Sequence, residues 1–412
     1  MTRGTTTAPG EKLDSNVERM IDHYNSQVDV FKDVHPGGDK STKARAEAAK
    51  AFVDLDPKKF SWDRANFTDI AKGVRYREGD RLVLEATYRP FHRRWVEAGR
   101  RLNNTVYQLP RIFPNADAEN LTIGVHRRSA AEFAFRGAHW YSDLPDVDVW
   151  VDPTPSFPRY IYDLAPSADA AQAANAQGEL FSDAGTDSND TDGGDSGQPR
   201  RHNVTDHALA LYRTLDSKID KDDVFFYVYG ILHSPDYRSA FAADLKKSLP
   251  RIPQVDNAED FWGFSNAGRE LAELHTDYED VEPWPDLAYE YATGADKDDP
   301  ATYRVTKMKH PKVKLDGESV EDRTRIIYNE HITIGNIPEA AYGYELGSRS
   351  AIGWVMEAWR VRTDKASGIV NDPNDWATEH NDPTYILDLI GRVVTVSMRT
   401  IEIVEGLPKL SL

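Results

Sequence analysis

The sequence predicts a mixed α/β fold of the α+β class, with a helical N-terminal segment, a strand-rich middle and a C-terminal part that is helical and contains a hairpin. Apolar residues recur every three or four positions between Leu13 and Phe31, and again after Asp382, as in amphipathic helices. Between residues 76 and 165, short runs rich in Val, Ile, Tyr and Leu are separated by turn residues, as in strands. Because the two kinds of element do not alternate regularly, the pattern favours segregated helices and strands.

The N-terminal part of the chain is predicted to be helical after a short lead-in. Residues 1–12 are polar and contain Pro and Gly, so they are predicted to be disordered. Residues 13–75 form the helical segment, in which a second helix follows at Lys43–Phe52. A third helix begins after residue 63, with Asp63 or Ser61 as its N-cap.

The middle of the chain is predicted to contain strands and then a disordered insertion. Residues 166–202 are rich in Ala, Asp, Gly, Ser and Asn, and their aspartates repel one another. Such a composition buries too little apolar surface to offset the entropy of ordering, so this range is predicted to be a disordered acidic insertion. The strands predicted within residues 76–165 are Arg81–Thr87, Thr105–Gln108, Leu121–Val125 and Asp146–Val151.

Residues 203–412 are predicted to combine helices with one hairpin. Asp222–Leu232 is strongly apolar, and Ser234-Pro235 is typical of a helix start, here for a helix through Lys247. Asp316-Gly317 predicts a turn that joins two strands. A long helix is predicted to start at Asp382-Pro383 and to stop at Gly406 and Pro408. The two predicted strands are Tyr303–Lys314 and Thr324–Ile334.

Composition excludes several classes of protein. The 412 residues include no cysteine, which excludes disulfide frameworks, thiolate metal sites and cysteine nucleophiles. Lys and Arg number 50 against 68 Asp and Glu, a formal charge of −18, so any contact with nucleic acid requires a local basic patch. No stretch approaches the ~20 apolar residues of a membrane span. No membrane contact is therefore expected, and the predicted location is the cytoplasm.

The motif search predicts no catalytic, cofactor-binding or metal-binding residues in this chain. The sequence contains no phosphate-binding Gly-x-x-x-x-Gly-Lys-Ser/Thr loop, no Gly-x-Gly-x-x-Gly, no Gly-x-Ser-x-Gly and no His-Glu-x-x-His. Its histidines are scattered without ligand spacing. Asp146, Asp148 and Asp152 lack the Glu-x-Lys that would complete a nuclease metal site.

Two basic clusters stand out against the acidic background. The stretch from Lys72 to Arg128 has twelve basic and six acidic residues, a local +6, and all but one of the cations are arginine. Arginine can bind phosphate or the edge of guanine with two parallel hydrogen bonds. The second cluster runs from Arg304 to Lys314 on the predicted hairpin, and a basic two-stranded ribbon is a shape that enters DNA grooves. The predicted DNA-binding residues are Arg89, Arg93, Arg94, Arg100, Arg101, Arg127, Arg128, Lys307, Lys309, Lys312 and Lys314.

The alternative for any one of these residues is a solvated strand face, or an arginine paired with a carboxylate inside the fold. The two clusters taken jointly favour contact with DNA.

Several longer strings are more specific than composition. They are Tyr88–His92, Tyr107–Pro114, Tyr227–Arg238, Leu249–Pro253, Ile332–Pro338 and Thr363–Trp376. In this order along the chain they resemble the C-terminal specificity region of the type ISP restriction–modification enzymes, in which one chain joins a nuclease, a helicase-like ATPase, an adenine methyltransferase and a target-recognition domain. The likeness runs from about Lys12 to the end, with the exception of 166–202.

The resemblance implies duplex DNA recognition without catalysis by this chain alone. It implies that residues 13–75 correspond to the connector after the methyltransferase, and that 76–165 and 203–412 are two parts of the target-recognition domain. S-adenosylmethionine, ATP and Mg are then expected only for the complete enzyme, whose methyltransferase, helicase and nuclease would be upstream segments or a partner. Two alternatives stay open, namely a degenerate adenine methyltransferase that binds S-adenosylmethionine and a docking subunit that does not bind DNA. The prolines and glycines of these strings are assigned mainly to turns in the fold.

Overall fold

The computed structural model confirms the α+β class and divides the chain into two compact units. The first unit comprises Met1–Val106, Trp284–Glu339 and Gly353–Gly391, and the second comprises Tyr107–Pro283, Ala340–Ile352 and Arg392–Leu412. Each unit is therefore assembled from segments that are distant in the sequence. The residues that the structure describes are 11–35, 41–99, 102–103, 106–125, 138–146, 149, 154–163, 192–193, 199–315, 317–365, 368 and 370–410.

Three helices open the first unit, as predicted. They are α1 (Glu11–Val34), α2 (Thr42–Phe52) and α3 (Arg64–Lys72). Asp63, and not Ser61, is the N-cap of α3, because its carboxylate accepts hydrogen bonds from the backbone N–H groups of Ala65 at 2.6 Å and Asn66 at 3.0 Å. The buried stripe of α1 packs into the core of this unit and consists of Leu13, Val17, Tyr24, Val28 and Phe31.

A tight hairpin follows these helices. Strands β1 (Val83–Arg89) and β2 (His92–Glu97) pair in antiparallel register, with Arg94 opposite Ala86. The ring of Trp359 is stacked on that of His92 with centroids 4.3 Å apart, and the Trp359 indole N–H donates to the carbonyl of Phe91 at 3.0 Å. The chain reversal is therefore fixed by a residue from a distant segment of the same unit.

The second unit begins with short strands and ends in a helical layer. One sheet has the order β4-β3-β6 and another has the order β7-β9-β8. The elements are α4 (Leu109–Ile112), β3 (Thr122–Val125), β4 (Ala138–Tyr141), β5 (Leu144–Pro145), β6 (Ser156–Pro158), β7 (Tyr160–Tyr162), β8 (Asp192–Gly193), β9 (Pro199–His202), α5 (Asp206–Tyr212), α6 (Lys221–His233), α7 (Pro235–Ala240), α8 (Ala242–Leu245) and α9 (Ala258–Thr276).

Several details of this unit differ from the sequence-based predictions. The strand predicted at Thr105–Gln108 is wrong over its described part, because Val106–Gln108 lead through a turn into α4, which has Pro110 in its first turn. The helix predicted from Ser234 to Lys247 is capped by Ser234 but breaks at Phe241 into α7 and α8. Most of the strand predicted at Asp146–Val151 lies outside the described residues. So do residues 1–10 and most of 166–202, apart from the short strands β8 and β9.

Helices α6 and α9 cross at very close range in the core of the second unit. A Cβ atom on Gly230 would lie 2.1 Å from the carbonyl oxygen of Phe264, and one on Gly268 would lie 2.0 Å from that of Phe226. Only glycine lets the two backbones approach this closely. The ring of Trp140 stacks on Phe226 with centroids 5.3 Å apart, which joins strand β4 to the same crossing.

The remaining elements complete both units. The last of them, α12, ends at Glu405 before Gly406, as the sequence predicted. Among the helices of the described residues, none has both the length and the apolar character needed to cross a membrane. The elements are β10 (Ala288–Tyr291), β11 (Lys312–Leu315), β12 (Glu318–Glu321), β13 (Ile326–Ile327), β14 (Ile332–Gly335), β15 (Glu345–Leu346), β16 (Arg349–Ser350), α10 (Ala351–Ala358), β17 (Arg362–Thr363), β18 (Val370–Asn371), α11 (Asn374–Glu379) and α12 (Tyr385–Glu405).

The predicted basic hairpin is present but shorter than expected. The turn falls at Gly317, whose φ of 87° suits glycine, and β11 pairs with β12 on either side of it. Pro311 has no N–H to donate, so the ladder is interrupted there and resumes only as a single bridge between Lys309 and Ile327. The predicted strand Thr324–Ile334 is wrong as one element, because it folds back on itself as the pair β13–β14.

Two buried histidines of the second unit are held in the neutral form. The His275 ring nitrogens contact the Tyr229 hydroxyl at 2.7 Å and the Thr400 hydroxyl at 2.9 Å. Burial, together with the neighbouring His139 and His233, holds the pKa of His275 well below its usual value. Burial and the charge of Arg238 lower the pKa of His233 to about 3. Both rings are therefore uncharged at neutral pH.

Replacement of Gly268 by Ala should destabilise the second unit. The new methyl group would overlap the Phe226 carbonyl, and we expect a loss of about 3 kcal/mol in the free energy of unfolding, despite a helix propensity that favours Ala by ~1 kcal/mol. Urea denaturation followed by circular dichroism measures the free energy of unfolding. The control is Gly79→Ala, because no atom lies within 4 Å of its added Cβ. Equal stability of the two variants would show that the crossing tolerates a side chain.

Stability should fall as the pH drops below the histidine range. The unfolded chain binds protons at its histidines near pH 6.5, whereas His233 and His275 in the folded chain do not. The free energy of unfolding should therefore be fully retained above about pH 6.5 and should decrease by roughly 1.4 kcal/mol per pH unit for each such histidine below it. For His233 the decrease in the free energy of unfolding continues down to the pKa of the folded state, which is about 3.

The comparison of His275→Gln with the exposed His207→Gln tests this dependence. The His275 variant should have a shallower decrease in unfolding free energy between pH 7 and pH 5 in urea titrations, and the His207 variant should match the parent. Parallel slopes for all three proteins would contradict a neutral buried His275.

Candidate nucleic-acid interface

Arg94 is a desolvated cation on the β1–β2 hairpin of the first unit. Its Nε donates to His92 Nε2 at 3.0 Å, and its Nη1 donates to the side-chain oxygen of Asn371 at 3.2 Å. Burial, with a further contribution from Arg89 and Arg362, lowers the pKa of Arg94 to about 10, so the guanidinium remains charged at neutral pH. Burial and the same three arginines hold the pKa of His92 well below its usual value. The imidazole is therefore a neutral acceptor for Arg94.

Tyr88 brings a second arginine next to the first. The guanidinium carbon of Arg89 lies 4.2 Å from the centre of the Tyr88 ring, and that of Arg94 lies 4.6 Å from it. Each contact is a cation–π interaction, which stabilises a positive charge without neutralising it. The contacts described here hold two like charges against one aromatic ring, and such an arrangement suits the binding of an anion.

The lysines of the second cluster are exposed along the other hairpin of the first unit. Lys312 and Lys314 are separated by one residue on β11, so they point to the same face of the ribbon. Val313 and Leu315 point to the opposite face and are 43% and 62% exposed. Lys307 and Lys309 are also exposed. The register places Glu321 of β12 opposite Lys312 and Glu318 opposite Leu315, so each face of the ribbon also carries one glutamate.

The segment Asn371–Asn374 contacts both clusters. Asn371 accepts from Arg94, and Asp372, the next residue, accepts from Arg304 at 2.7 Å. Asn374 is 4% exposed; its side-chain oxygen accepts from the Val305 N–H at 2.8 Å, and its side-chain nitrogen donates to the Val305 carbonyl at 2.8 Å. The segment thus ties the arginine hairpin to the start of the lysine-rich stretch.

The outcome for the predicted residues is mixed. Arg89, Arg93 and Arg94 lie together on the β1–β2 hairpin and are partly buried, whereas Lys307, Lys309, Lys312 and Lys314 are exposed. Arg100, Arg101, Arg127 and Arg128 lie outside the described residues.

Other arginines of the first cluster are paired with carboxylates, one of them with a buried glutamate and two at the surface. Arg75 pairs with Asp29, Arg81 with the fully buried Glu97 at 3.6 Å, and Arg111 with Asp163 at 3.9 Å.

Sequence reasoning missed the residues that connect the clusters. Asn371, Asp372 and Asn374 belong to the string Thr363–Trp376, which the sequence assigned mainly to turns in the fold. Two asparagines and an aspartate around Pro373 are the signal that was available, since such residues often bond to backbone groups in loops. Their partners, more than 60 positions away, could not be deduced from the sequence.

Within the described part of the chain, no group of three or more His, Asp or Glu side chains is positioned to hold a metal ion.

The family model described as the type ISP C-terminal specificity domain matches residues 6–389. No curated protein matches the chain by sequence.

Three solved structures of DNA complexes resemble the chain. The first is a nuclease-deletion mutant of the type ISP restriction–modification enzyme LlaGI with a DNA substrate mimic, 31% identical over 97% of this chain and 31% of that one, with a TM-score of 0.72. The second is the ATP-dependent type ISP enzyme LlaBIII bound to DNA, 28% identical over 98% of this chain and 22% of that one, with a TM-score of 0.73. The third is a complex of DrdV with DNA, 27% identical over 99% of this chain and 35% of that one, with a TM-score of 0.72.

The chain spans about a fifth to a third of the length of these proteins. The family model covers most of its residues, and the resemblance found in the sequence is thereby confirmed. The chain belongs to the family of type ISP C-terminal specificity domains.

Proposed function

We propose that this chain recognises a specific duplex DNA sequence for a type ISP-like restriction–modification system. The family supports this, and so does the presence of DNA in the three related structures. The adenine methyltransferase, the nuclease and the translocase would be supplied by upstream segments or by a partner. S-adenosylmethionine, ATP and Mg would act there, and this chain would contribute recognition without catalysis.

The observation that carries the proposal is the connection of two cation clusters through one segment. The chain has a net charge of −18, so only a local concentration of cations can attract DNA. Asn371–Asn374 contacts both the arginine hairpin and the stretch that leads into the lysines. These contacts give the first unit a basic surface that is built from three distant parts of the sequence.

We assign different tasks to the two clusters. The exposed lysines suit phosphate contacts, which fix the register on the duplex and carry little sequence information. The guanidinium groups of Arg89 and Arg94 lie against the Tyr88 ring, and Arg94 also bonds to His92, so their planar groups have a defined orientation, as recognition of a guanine edge or of paired phosphate oxygens requires. Arg100, Arg101, Arg127 and Arg128 belong to the same proposed set.

We also propose the domain assignment that the resemblance implies. Residues 13–75 would act as the connector that follows the methyltransferase, and residues 76–165 and 203–412 as the two parts of the target-recognition domain. Residues 166–202 would be an insertion, and its role does not enter the proposal.

Charge reversal on the hairpin should weaken DNA binding in a salt-dependent way. Each phosphate contact contributes about 0.9 to the slope of log affinity against log salt, so Lys312→Glu with Lys314→Glu should reduce the magnitude of that slope by roughly 2. Fluorescence anisotropy with a labelled duplex over a series of salt concentrations measures this. The charge-matched control is Lys43→Glu with Lys50→Glu on α2, where both lysines are exposed. An unchanged slope in the hairpin variant would rule out phosphate contacts there.

Asn374→Ala should impair the organisation of the interface. It leaves the Val305 N–H and C=O without their partners, which costs about 1–3 kcal/mol for such groups when they are buried. We expect a lower preference for the cognate duplex over random duplex, measured by competition, at a temperature where the variant is fully folded. The control is Thr42→Ala, an exposed position on α2. Retention of the full preference by Asn374→Ala would mean that this segment does not organise recognition.

A further inference from the structure

Tyr107 of the second unit is an exposed aromatic residue with an unfavourable backbone conformation. Its φ is 43°, in the left-handed region that bulky side chains rarely adopt. It is 76% exposed, the highest value among the large apolar and aromatic side chains of the described residues. Within the described part of the chain, its hydroxyl has no hydrogen-bond partner and its ring has no aromatic or cationic partner. The fold therefore makes little use of this ring.

The other described non-glycine residues with a positive φ have an explanation within the fold. Phe91 is 1% exposed, and its carbonyl accepts from the Trp359 indole at 3.0 Å. Asn336 and Asn381 belong to a residue type that tolerates the left-handed region well. Among the described residues, Tyr107 is thus the one bulky side chain that combines this conformation with exposure to solvent. Strained residues that the fold does not explain are concentrated at functional sites.

The chain that follows Tyr107 is firmly held. Ile112 and Phe113, at the end of α4, are 7% and 4% exposed. The side-chain nitrogen of the buried Asn120 donates to the Ile112 carbonyl at 3.0 Å and to the Tyr160 carbonyl at 2.8 Å. Tyr107 therefore begins an anchored turn, and its ring is presented to solvent by a backbone with a defined position.

The charge of the surrounding sequence favours an anionic partner. From Gly99 to Pro114 the chain has three arginines and no aspartate or glutamate, although the net charge of the whole chain is −18. Arg111 is the described member of the three; its side chain is 41% exposed and lies 3.9 Å from Asp163. Cations attract the phosphates of a nucleic acid, and an exposed aromatic ring offers a flat surface to a base.

We propose that Tyr107 stacks on an unstacked base of the bound DNA. The inference rests on the proposed recognition of duplex DNA and adds a base contact from the second unit, since the described members of the proposed DNA-binding set belong to the first. Methylation of an adenine requires that the base leave the stack, which exposes the faces of bases. Because every base has such a face, this contact requires no particular base. Stacking would supply the contact that the Tyr107 ring lacks.

A duplex with one unpaired base tests the contact, because no base pair has to be broken to expose that base. Fluorescence anisotropy should show the parent binding this duplex at least about fivefold more tightly than the fully paired duplex. Tyr107→Phe, which keeps the ring, should keep this preference, and Tyr107→Asn, which removes the ring, should lose it. The control is Phe157→Ala, which removes another exposed ring of the same unit and should keep the preference.

Stability measurements separate this role from a structural one. Asparagine suits a φ of 43° better than tyrosine does, so Tyr107→Asn should be at least as stable as the parent in urea denaturation. A clearly less stable variant would show that the fold requires the ring, and it would overturn the proposal.

The binding results also distinguish this proposal from the proposed function. If the parent binds the fully paired duplex and has no preference for the unpaired base, the stacking contact is wrong and DNA recognition stands. The same conclusion follows if Tyr107→Asn keeps the preference of the parent. If the parent binds neither duplex, both the stacking contact and DNA recognition are wrong.

Discussion

A guanidinium that is largely removed from water needs hydrogen-bond acceptors, and the position of Arg94 on the β1–β2 hairpin depends on them. The contacts that hold Arg94 include a neutral imidazole, a side-chain amide and an aromatic ring. The imidazole and the amide each accept one of its hydrogen bonds. Part of the cost remains visible in the lowered pKa of Arg94.

The segment that supplies Asn371 also holds the start of the lysine-rich stretch. The Asp372 carboxylate pairs with Arg304, which is the first residue of the cluster from Arg304 to Lys314. Asn374 makes two hydrogen bonds to the Val305 backbone, as a neighbouring strand would. The start of the lysine stretch is therefore held by hydrogen bonds between the Asn374 side chain and the Val305 backbone, while the lysine side chains themselves stay exposed. This division suits a surface on which orientation and charge are both needed.

The second unit depends on a different constraint, which is the close approach of α6 and α9 at Gly230 and Gly268. The same helices carry Tyr229, His233 and His275, whose rings form a buried polar layer next to the glycine contact. A rigid crossing keeps these rings in fixed positions. Both ring nitrogens of His275 have a hydrogen-bond partner, whereas Nε2 of His233 has none.

The sequence by itself determined the elements whose signals are local. The apolar spacing of α1, the Asp63 cap of α3, the turn at Gly317 and the end of α12 at Gly406 each follow from a few neighbouring residues, because periodicity, caps and turns act over one or two turns of chain. The sequence did not predict helices α9 and α10. The prediction of a single strand at Thr324–Ile334 was wrong, because the chain reverses direction at its centre while the run of β-favouring residues continues without a break.

Only the tertiary structure decided which residues the arginines bond to. Arg81 and Arg94 are similar in the sequence, yet one pairs with a buried glutamate and the other bonds to an asparagine 277 positions away. The same holds for the Gly230–Gly268 contact and for the unpaired nitrogen of His233. In each case the packing of distant segments determines which groups are in contact. The free energy of a buried charge or of a close contact depends on those groups.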